Sequence, residues 1–306
     1  MKIIQRDFDP NRDDYKKLWD FLIEDYRVKK EHYTWTLGRL GDWSHGLWTY
    51  QKTDPNFQSK NARLWVNAFD ELVGFAISEE GDGQFHLFAK SYFEHLHGEM
   101  LDFVEEHWMV RENVVKTEVS AGHENLIRLM EERGYEKHVG AETRKYDVAD
   151  FEATLSLPDG FSIVNMEDNH DSDSKILLYH SGFQNKDTME EWDRITFKYN
   201  CESPAYNPRF DFSVITETGQ HVSTCLCFID YLNGYAEIEK VCTHKDFRQK
   251  GLSSALIQHA MLQLKAIGIK HAYITGYSSE AQKTYAKVGA EAMVQNYWYE
   301  KIAGQQ

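Results

Sequence analysis

The stretch IEKVCTHKDFRQKGLSSALIQHA, residues 238–260, decides the fold of this chain. It begins as a short apolar strand, passes through the basic turn RQKGLS at 248–253, and continues as a helix with one apolar face. The amides of a first helical turn have no partner within the helix and lie at the positive end of its dipole. Gly251 permits backbone angles that other residues avoid, and Arg248 and Lys250 add full charge. This construction predicts a diphosphate-binding site.

The same turn carries a family motif. RQKGLS matches the signature Q/R-x-x-G-x-G/A of GCN5-related N-acetyltransferases (the GNAT superfamily), with Ser253 in the last small position. Tyr285 stands four residues before Gly289, as a tyrosine does in that family, and the wider run resembles tandem-domain members related to mycothiol synthase. The resemblance implies an α/β tandem GNAT fold, in which each half has a central, mostly antiparallel sheet with flanking helices.

The resemblance also implies where acetyl-CoA binds. In the family, the strand before the signature splays away from its neighbour, and its backbone holds the pantetheine arm while one N–H polarises the thioester carbonyl. The turn and the start of the helix hold the diphosphate. The residues in the strand positions are Val241, Cys242 and Thr243, and those in the diphosphate positions are Arg248, Gln249, Lys250, Gly251, Leu252, Ser253 and Ser254.

Three side chains are candidates for acid–base catalysis. By resemblance, Tyr285 donates a proton to the leaving sulfur; the alternative is a tyrosine that only packs on the sheet. Glu239 is the first choice for the general base and Glu237 the second, because alternate residues of a strand share one face. A bulge in this strand, expected from the family, would separate their directions and could reverse the choice. One of the two could instead simply pair with Lys240.

The two halves of the sequence look like a duplication. With an offset of 155 residues, Gly134 falls on Gly289, and the strand and helix positions agree. The first half lacks the glycine and the basic residues of the turn, and it places Glu94 where a diphosphate would bind, so a carboxylate would repel the ligand. We therefore predict a degenerate GNAT-like domain at 1–150 that does not bind the cofactor, and a catalytic GNAT domain at 151–306.

Composition narrows the classes of partner. A chain of 306 residues is long enough for two domains of about 150 residues each. The net charge of −15 argues against a nucleic-acid or anionic-membrane surface, and no run approaches a membrane span, so we expect a cytoplasmic protein. The four cysteines form no C-x-x-C pair, and His95, His97 and Glu99 have no second ligand pair nearby, so we expect no metal.

These features predict an N-acetyltransferase. It would transfer an acetyl group from acetyl-CoA directly, within a ternary complex, to a primary amine of a small molecule, acting as a monomer or homodimer. A CoA-binding sensor or scaffold with vestigial activity is the alternative from another class. Transfer of a longer acyl group is a further alternative, because the sequence does not separate it from acetyl transfer.

Overall fold

The computed structural model describes residues 2–30, 35–154 and 156–304. The strands are, in chain order, β1 (Ile3–Asp7), β2 (Ala62–Asn67), β3 (Leu72–Ile77), β4 (His86–Ala89), β5 (Val114–Ser120), β6 (Glu136–Asp147), β7 (Phe161–Asn165), β8 (Asp211–Thr216), β9 (His221–Asp230), β10 (Tyr235–Thr243), β11 (His271–Gly276) and β12 (Ala292–Ile302). The α-helices are α1 (Asp14–Lys29), α2 (Leu37–His45), α3 (Phe57–Asn61), α4 (His97–His107), α5 (Glu124–Glu132), α6 (Ser172–Tyr179), α7 (Glu191–Cys201), α8 (Leu252–Ala266) and α9 (Ser279–Ala286).

Contacts divide the chain into two compact units. Unit 1 comprises Met1–Thr36, Leu47–Ala141 and Val294–Gln306, and unit 2 comprises Leu37–Gly46 and Glu142–Met293. Each unit therefore contains segments from both halves of the sequence. The division into a degenerate domain at 1–150 and a catalytic domain at 151–306 stays a prediction.

Unit 1 contains two sets of paired strands. β1, β2, β3 and β4 pair antiparallel in sequence order. β5 pairs antiparallel with β12, from Ser120 opposite Asn296 to Val114 opposite Ile302. A hydrophobic cluster that includes the fully buried Trp65, Met100 and Tyr299 forms the core of this unit.

Unit 2 contains the strand and helix of the quoted stretch. Its strands pair in the order β7, β8, β9, β10, β11 and residues 142–147 of β6, and only β10 and β11 are parallel. The apolar face of α8 packs into the core, where Leu252, Leu256 and Leu264 are at most 2% exposed. Ile267 follows the last helical residue, Ala266, and is 36% exposed. The predicted α/β class with mostly antiparallel sheets is confirmed.

A buried ion pair joins α6 to the sheet of unit 2. The Lys175 ammonium donates to Asp211 Oδ1 at 2.5 Å and to Ser213 Oγ at 2.8 Å. The side chains of Lys175 and Asp211 are 0% and 1% exposed. Because each charge is removed from water, each depends on the other for its stabilisation.

Replacing Lys175 with methionine should destabilise the protein strongly. The change leaves the Asp211 carboxylate buried without its cation, so we expect the free energy of unfolding to fall by about 3–5 kcal/mol in urea titrations. Arg194→Met is the matched control, because Arg194 pairs with Asp173 on the surface, and it should change the unfolding midpoint little. An equal effect of the two variants would contradict a structural role for the buried pair.

Candidate active site

The strand β10 separates from β11 near its middle. The two strands pair in parallel only over three positions, from Tyr235 opposite His271 to Glu237 opposite Tyr273. β10 continues to Thr243, and β11 continues to Gly276 while pairing with β6. The second half of β10 therefore has one sheet edge that β11 does not cover. This is the splay that the resemblance implies.

A bulge follows the two glutamates of β10. Residues 237–239 pair regularly with β9, from Glu237 opposite Phe228 to Glu239 opposite Leu226, and the register then shifts before Cys242. Within the shift, Lys240 has a φ of +52°, a left-handed conformation that is unusual for lysine. Because the bulge lies after both glutamates, it does not separate their directions as we had anticipated.

The start of α8 has the geometry of an anion cradle. Gln249 and Gly251 have φ of +64° and +77°, and an added Cβ at Gly251 would meet no atom within 4 Å. Gly251 is the N-cap residue of α8, and it has no side chain that could accept a hydrogen bond from the first helical amides. Within the described part of the chain, the backbone amides at 251–254 donate no hydrogen bond. A nest of such amides at a helix N-terminus suits a phosphate group.

The side chains of the cradle divide into anchored and open groups. The Arg248 guanidinium is exposed, but its Nη2 donates to the Gly182 carbonyl at 2.9 Å. Lys250 is exposed, with its ammonium 5.0 Å from the centre of the Phe247 ring. Ser253 is half-buried, whereas Ser254 is buried, so Ser253 is the better placed of the two hydroxyls for a ligand.

The positions assigned to the pantetheine arm lie on the uncovered half of β10. Val241 and Thr243 are half-buried, and Cys242 is 8% exposed. Gly182 makes room for this cysteine, because an added Cβ there would lie 2.6 Å from Cys242 Sγ. Burial raises the pKa of the Cys242 thiol to about 12. A thiol in this state is not an activated nucleophile.

Tyr285 lies on α9 and is 6% exposed. Its backbone carbonyl accepts a hydrogen bond of 2.8 Å from the Tyr146 hydroxyl, and Gly276 allows its ring to pack closely on the end of β11. Burial, with a smaller effect of the nearby Glu239 carboxylate, raises the pKa of Tyr285 well above its usual value. Among the described residues, the side-chain hydrogen bond found at Tyr285 goes to its backbone carbonyl and not to its hydroxyl. Tyr285 is therefore a neutral phenol that can still donate a proton.

The two glutamates differ in accessibility and in surroundings. Glu237 is 2% exposed, whereas Glu239 is half-buried. Burial and the adjacent Glu237 carboxylate raise the pKa of Glu239 to about 7. A carboxylate with such a pKa exchanges protons near neutral pH, as a general base must. Glu239 therefore remains the first choice for the base, and the negative charge of Glu237 raises its pKa.

Three charged or polar residues near Glu239 were missed by the sequence analysis. Arg39 lowers the pKa of Glu239, while Asp42 raises it, so both lie close to the carboxyl. Arg39 Nη2 also donates to the Tyr277 hydroxyl at 2.8 Å. Asn200 of α7 contacts Asp42 and Lys240. No local sequence motif predicts α2. The start of α7 does carry a local signal, because Glu190 and Asp193 form a capping box there.

Unit 1 contains the counterpart of this arrangement in a different form. α4 begins at His97 and α8 at Leu252, 155 positions apart, which agrees with the offset found in the sequence. A 3₁₀ turn, Ser91–Leu96, replaces the glycine turn, and Glu94 lines a cavity of about 340 Å³ beside it. Met130, the counterpart of Tyr285, is fully buried and carries no proton to donate. That this copy does not bind the cofactor stays a prediction.

Two other features are absent from the residues described. Across 2–30, 35–154 and 156–304, no group of histidine, cysteine, aspartate or glutamate side chains could hold a metal ion. Over the same ranges, no helix is long and apolar enough to cross a membrane.

Solved structures of similar fold cover nearly the whole chain. A GCN5-related N-acetyltransferase from Sphaerobacter thermophilus has a TM-score of 0.65 at 16% identity, over 98% of this chain and 96% of that one. A tandem GNAT protein of the clavulanic acid biosynthesis pathway has a TM-score of 0.64 at 10% identity, over all of both chains. A GNAT-family acetyltransferase from Colwellia psychrerythraea has a TM-score of 0.63 at 14% identity, over 98% and 100%. The chain therefore has the tandem GNAT fold.

A family model matches part of the second half of the sequence. Residues 178–290 match the model of the acetyltransferase (GNAT) family, and none of the curated proteins matches the chain. This segment is therefore similar in sequence to the GNAT family, and the match covers 113 of the 306 residues. The matched residues include β10, the cradle and Tyr285.

The protonation of Glu239 can be measured directly. In protein labelled with ¹³C at glutamate carboxyls, we expect Glu239 to titrate near pH 7, because burial and Glu237 disfavour its charged form. Glu237→Gln should move this midpoint to lower pH, since it removes the neighbouring negative charge. Glu217→Gln, at an exposed position of the same unit, is the control and should leave the midpoint unchanged. A wild-type midpoint near 4.3, the value of an ordinary glutamate, would contradict the assignment.

Proposed function

We propose that the chain is an acetyl-CoA-dependent N-acetyltransferase that acetylates a primary amine of a small molecule in a ternary complex. One observation carries this proposal: the splayed edge of β10, the amide cradle at α8, Glu239 and Tyr285 all belong to one compact unit. The similar protein from Sphaerobacter thermophilus is described as an N-acetyltransferase, which favours a nitrogen acceptor. We expect the enzyme to act in the cytoplasm as a monomer or homodimer.

The residues of the cradle fit the cofactor. The diphosphate would accept hydrogen bonds from the amides at 251–254, next to the charges of Arg248 and Lys250. Gln249 and Leu252 supply backbone to the same turn, and Ser253 supplies a hydroxyl. The uncovered backbone of Val241, Cys242 and Thr243 would hold the pantetheine arm. Bound acetyl-CoA supplies the acetyl group as a thioester, whose carbonyl carbon forms the new bond to the amine nitrogen.

Two side chains, Glu239 and Tyr285, would transfer the protons of the reaction. An alkyl ammonium has a pKa near 10.4, so the acceptor must lose a proton before it can attack. Glu239 accepts this proton, directly or through one water molecule. Tyr285 donates its hydroxyl proton to the sulfur as the carbon–sulfur bond breaks, because a neutral thiol leaves more readily than a thiolate in a buried site. Direct transfer is favoured because the buried Cys242 is a poor nucleophile.

Acetyl-CoA should bind once per chain. Calorimetric titration should give a stoichiometry of one, and the double variant Gly251→Asp/Arg248→Glu should abolish binding, because it adds carboxylates where the diphosphate would lie. Gly219→Asp/Arg209→Glu is the matched control, since Gly219 also has a positive φ and open surroundings in unit 2. Two sites per chain would contradict the inactive first copy, and no binding at all would remove the proposal.

The kinetics should separate the two catalytic roles. Glu239→Gln should lower kcat/KM by roughly 10²–10⁴ and remove the rise of activity through pH 7, since its amide cannot accept a proton. Tyr285→Phe should keep acetyl-CoA affinity but lose kcat, because only the proton donor is deleted. A Tyr285→Phe enzyme of wild-type activity would refute the role of the acid. Binding without turnover in the wild type would favour a sensor or scaffold.

A further inference from the structure

Lys240 holds a backbone conformation that needs support. It lies within the register shift of β10, directly after Glu239, with a φ of +52°. For a residue other than glycine, the left-handed region is disfavoured because Cβ comes too close to the following carbonyl oxygen. Such conformations persist only where the surrounding structure enforces them, and they cluster at functional sites.

The side chain of Lys240 is held by two partners. Its ammonium donates to Asp42 Oδ1 at 3.0 Å and to Asn200 Oδ1 at 2.7 Å. Asn200 Nδ2 donates in turn to the same Asp42 oxygen at 2.9 Å, so the three residues form a closed triangle. They come from α2, α7 and β10, and all belong to unit 2. The Lys240 and Asp42 side chains are only 21% and 15% exposed, which limits screening by water.

The triangle is connected to the Glu239 carboxyl through the backbone. The Lys240 N–H donates a hydrogen bond to this carboxylate and stabilises its charged form. The other charged or titratable groups that face Glu239 are Glu237 of β10, Arg39 and Asp42 of α2, and Tyr285 of α9. The φ of Lys240 and the ψ of Glu239 together set the direction of this N–H, because these two torsions flank the planar peptide unit that carries it. A change in that turn would therefore change the hydrogen bond at Glu239.

We propose that Lys240, Asp42 and Asn200 form a latch that holds the β10 bulge in its left-handed turn and thereby positions the Glu239 carboxyl. These are positioning residues, because they act through Glu239. The inference deepens the proposed function by adding residues from α2 and α7 to the control of the base. It also gives Lys240 a role distinct from simple pairing with a glutamate.

Asn200→Ala tests the latch without changing any charge. It removes both hydrogen bonds of Asn200, so the turn should relax and the Lys240 N–H should leave Glu239. Loss of this bond should move the ¹³C titration midpoint of Glu239 upward by roughly one pH unit, which is the effect of a charge-assisted hydrogen bond. The acid limb of kcat/KM should move by the same amount, while acetyl-CoA affinity stays unchanged. Near pH 6 the activity should therefore fall roughly tenfold.

A second variant separates the latch from a general loss of stability. Glycine adopts a positive φ without strain, so Lys240→Gly keeps the turn and removes the latch. In a Lys240→Gly background, Asn200→Ala should cause no further shift of the Glu239 midpoint. Asn165→Ala is the matched control, because it removes an asparagine–carboxylate hydrogen bond, to Asp168, elsewhere in unit 2. It should leave the midpoint of Glu239 where it is.

The outcomes distinguish this inference from the proposed function. An unchanged Glu239 midpoint in Asn200→Ala, or an equal shift with and without Lys240, would overturn the latch even in an active enzyme. A shifted midpoint in a protein that transfers no acetyl group would support the latch and refute the proposed activity. Because the carboxyl titration needs no turnover, the two results are independent.

Discussion

The parting of β10 from β11 after Glu237 is the constraint on which the site depends. Parallel strands normally satisfy each other's backbone groups along their whole length. Here they do so over only three positions, whereas the other edge of β11 pairs with β6 along its whole length. The freed edge of β10 carries backbone groups that a ligand can use, and it leads directly to the amides of α8. The separation of β10 from β11 thus leaves unit 2 with an uncovered strand edge next to an anion cradle.

The charges around Glu239 are balanced in a way that suits a base. Burial and two neighbouring carboxylates disfavour its ionised form, whereas Arg39 and the Lys240 N–H favour it. Neither set of groups dominates, so the pKa of Glu239 is about 7. If burial acted alone, the Glu239 carboxyl would stay protonated. If Arg39 dominated, the Glu239 carboxylate would be too weak a base to take a proton from an amine.

The sequence predicted what local patterns encode. The glycine turn, the apolar face of α8, the tyrosine of α9 and the alternation of Glu237 and Glu239 each depend on residues a few positions apart, and the structure contains these elements where they were expected. The partners of Lys240 were beyond such reasoning, because Asp42 and Asn200 are 198 and 40 positions away along the chain. Their contact with β10 is a result of tertiary packing. The position of the bulge after Glu239, and not before it, likewise depends on pairing with β9.

The pairing of β5 with β12 has a consequence for the order in which the chain folds during synthesis. β5 ends at Ser120, but its partner β12 begins to pair at Asn296. A ribosome adds about 5–20 residues per second, so a nascent chain displays the open edge of β5 for many seconds before β12 is made. Such an edge can recruit strands from other chains. The unit that contains the N-terminus is therefore the last of the two to be completed, and its β5 edge stays open to mispairing until residues 296–302 have been translated.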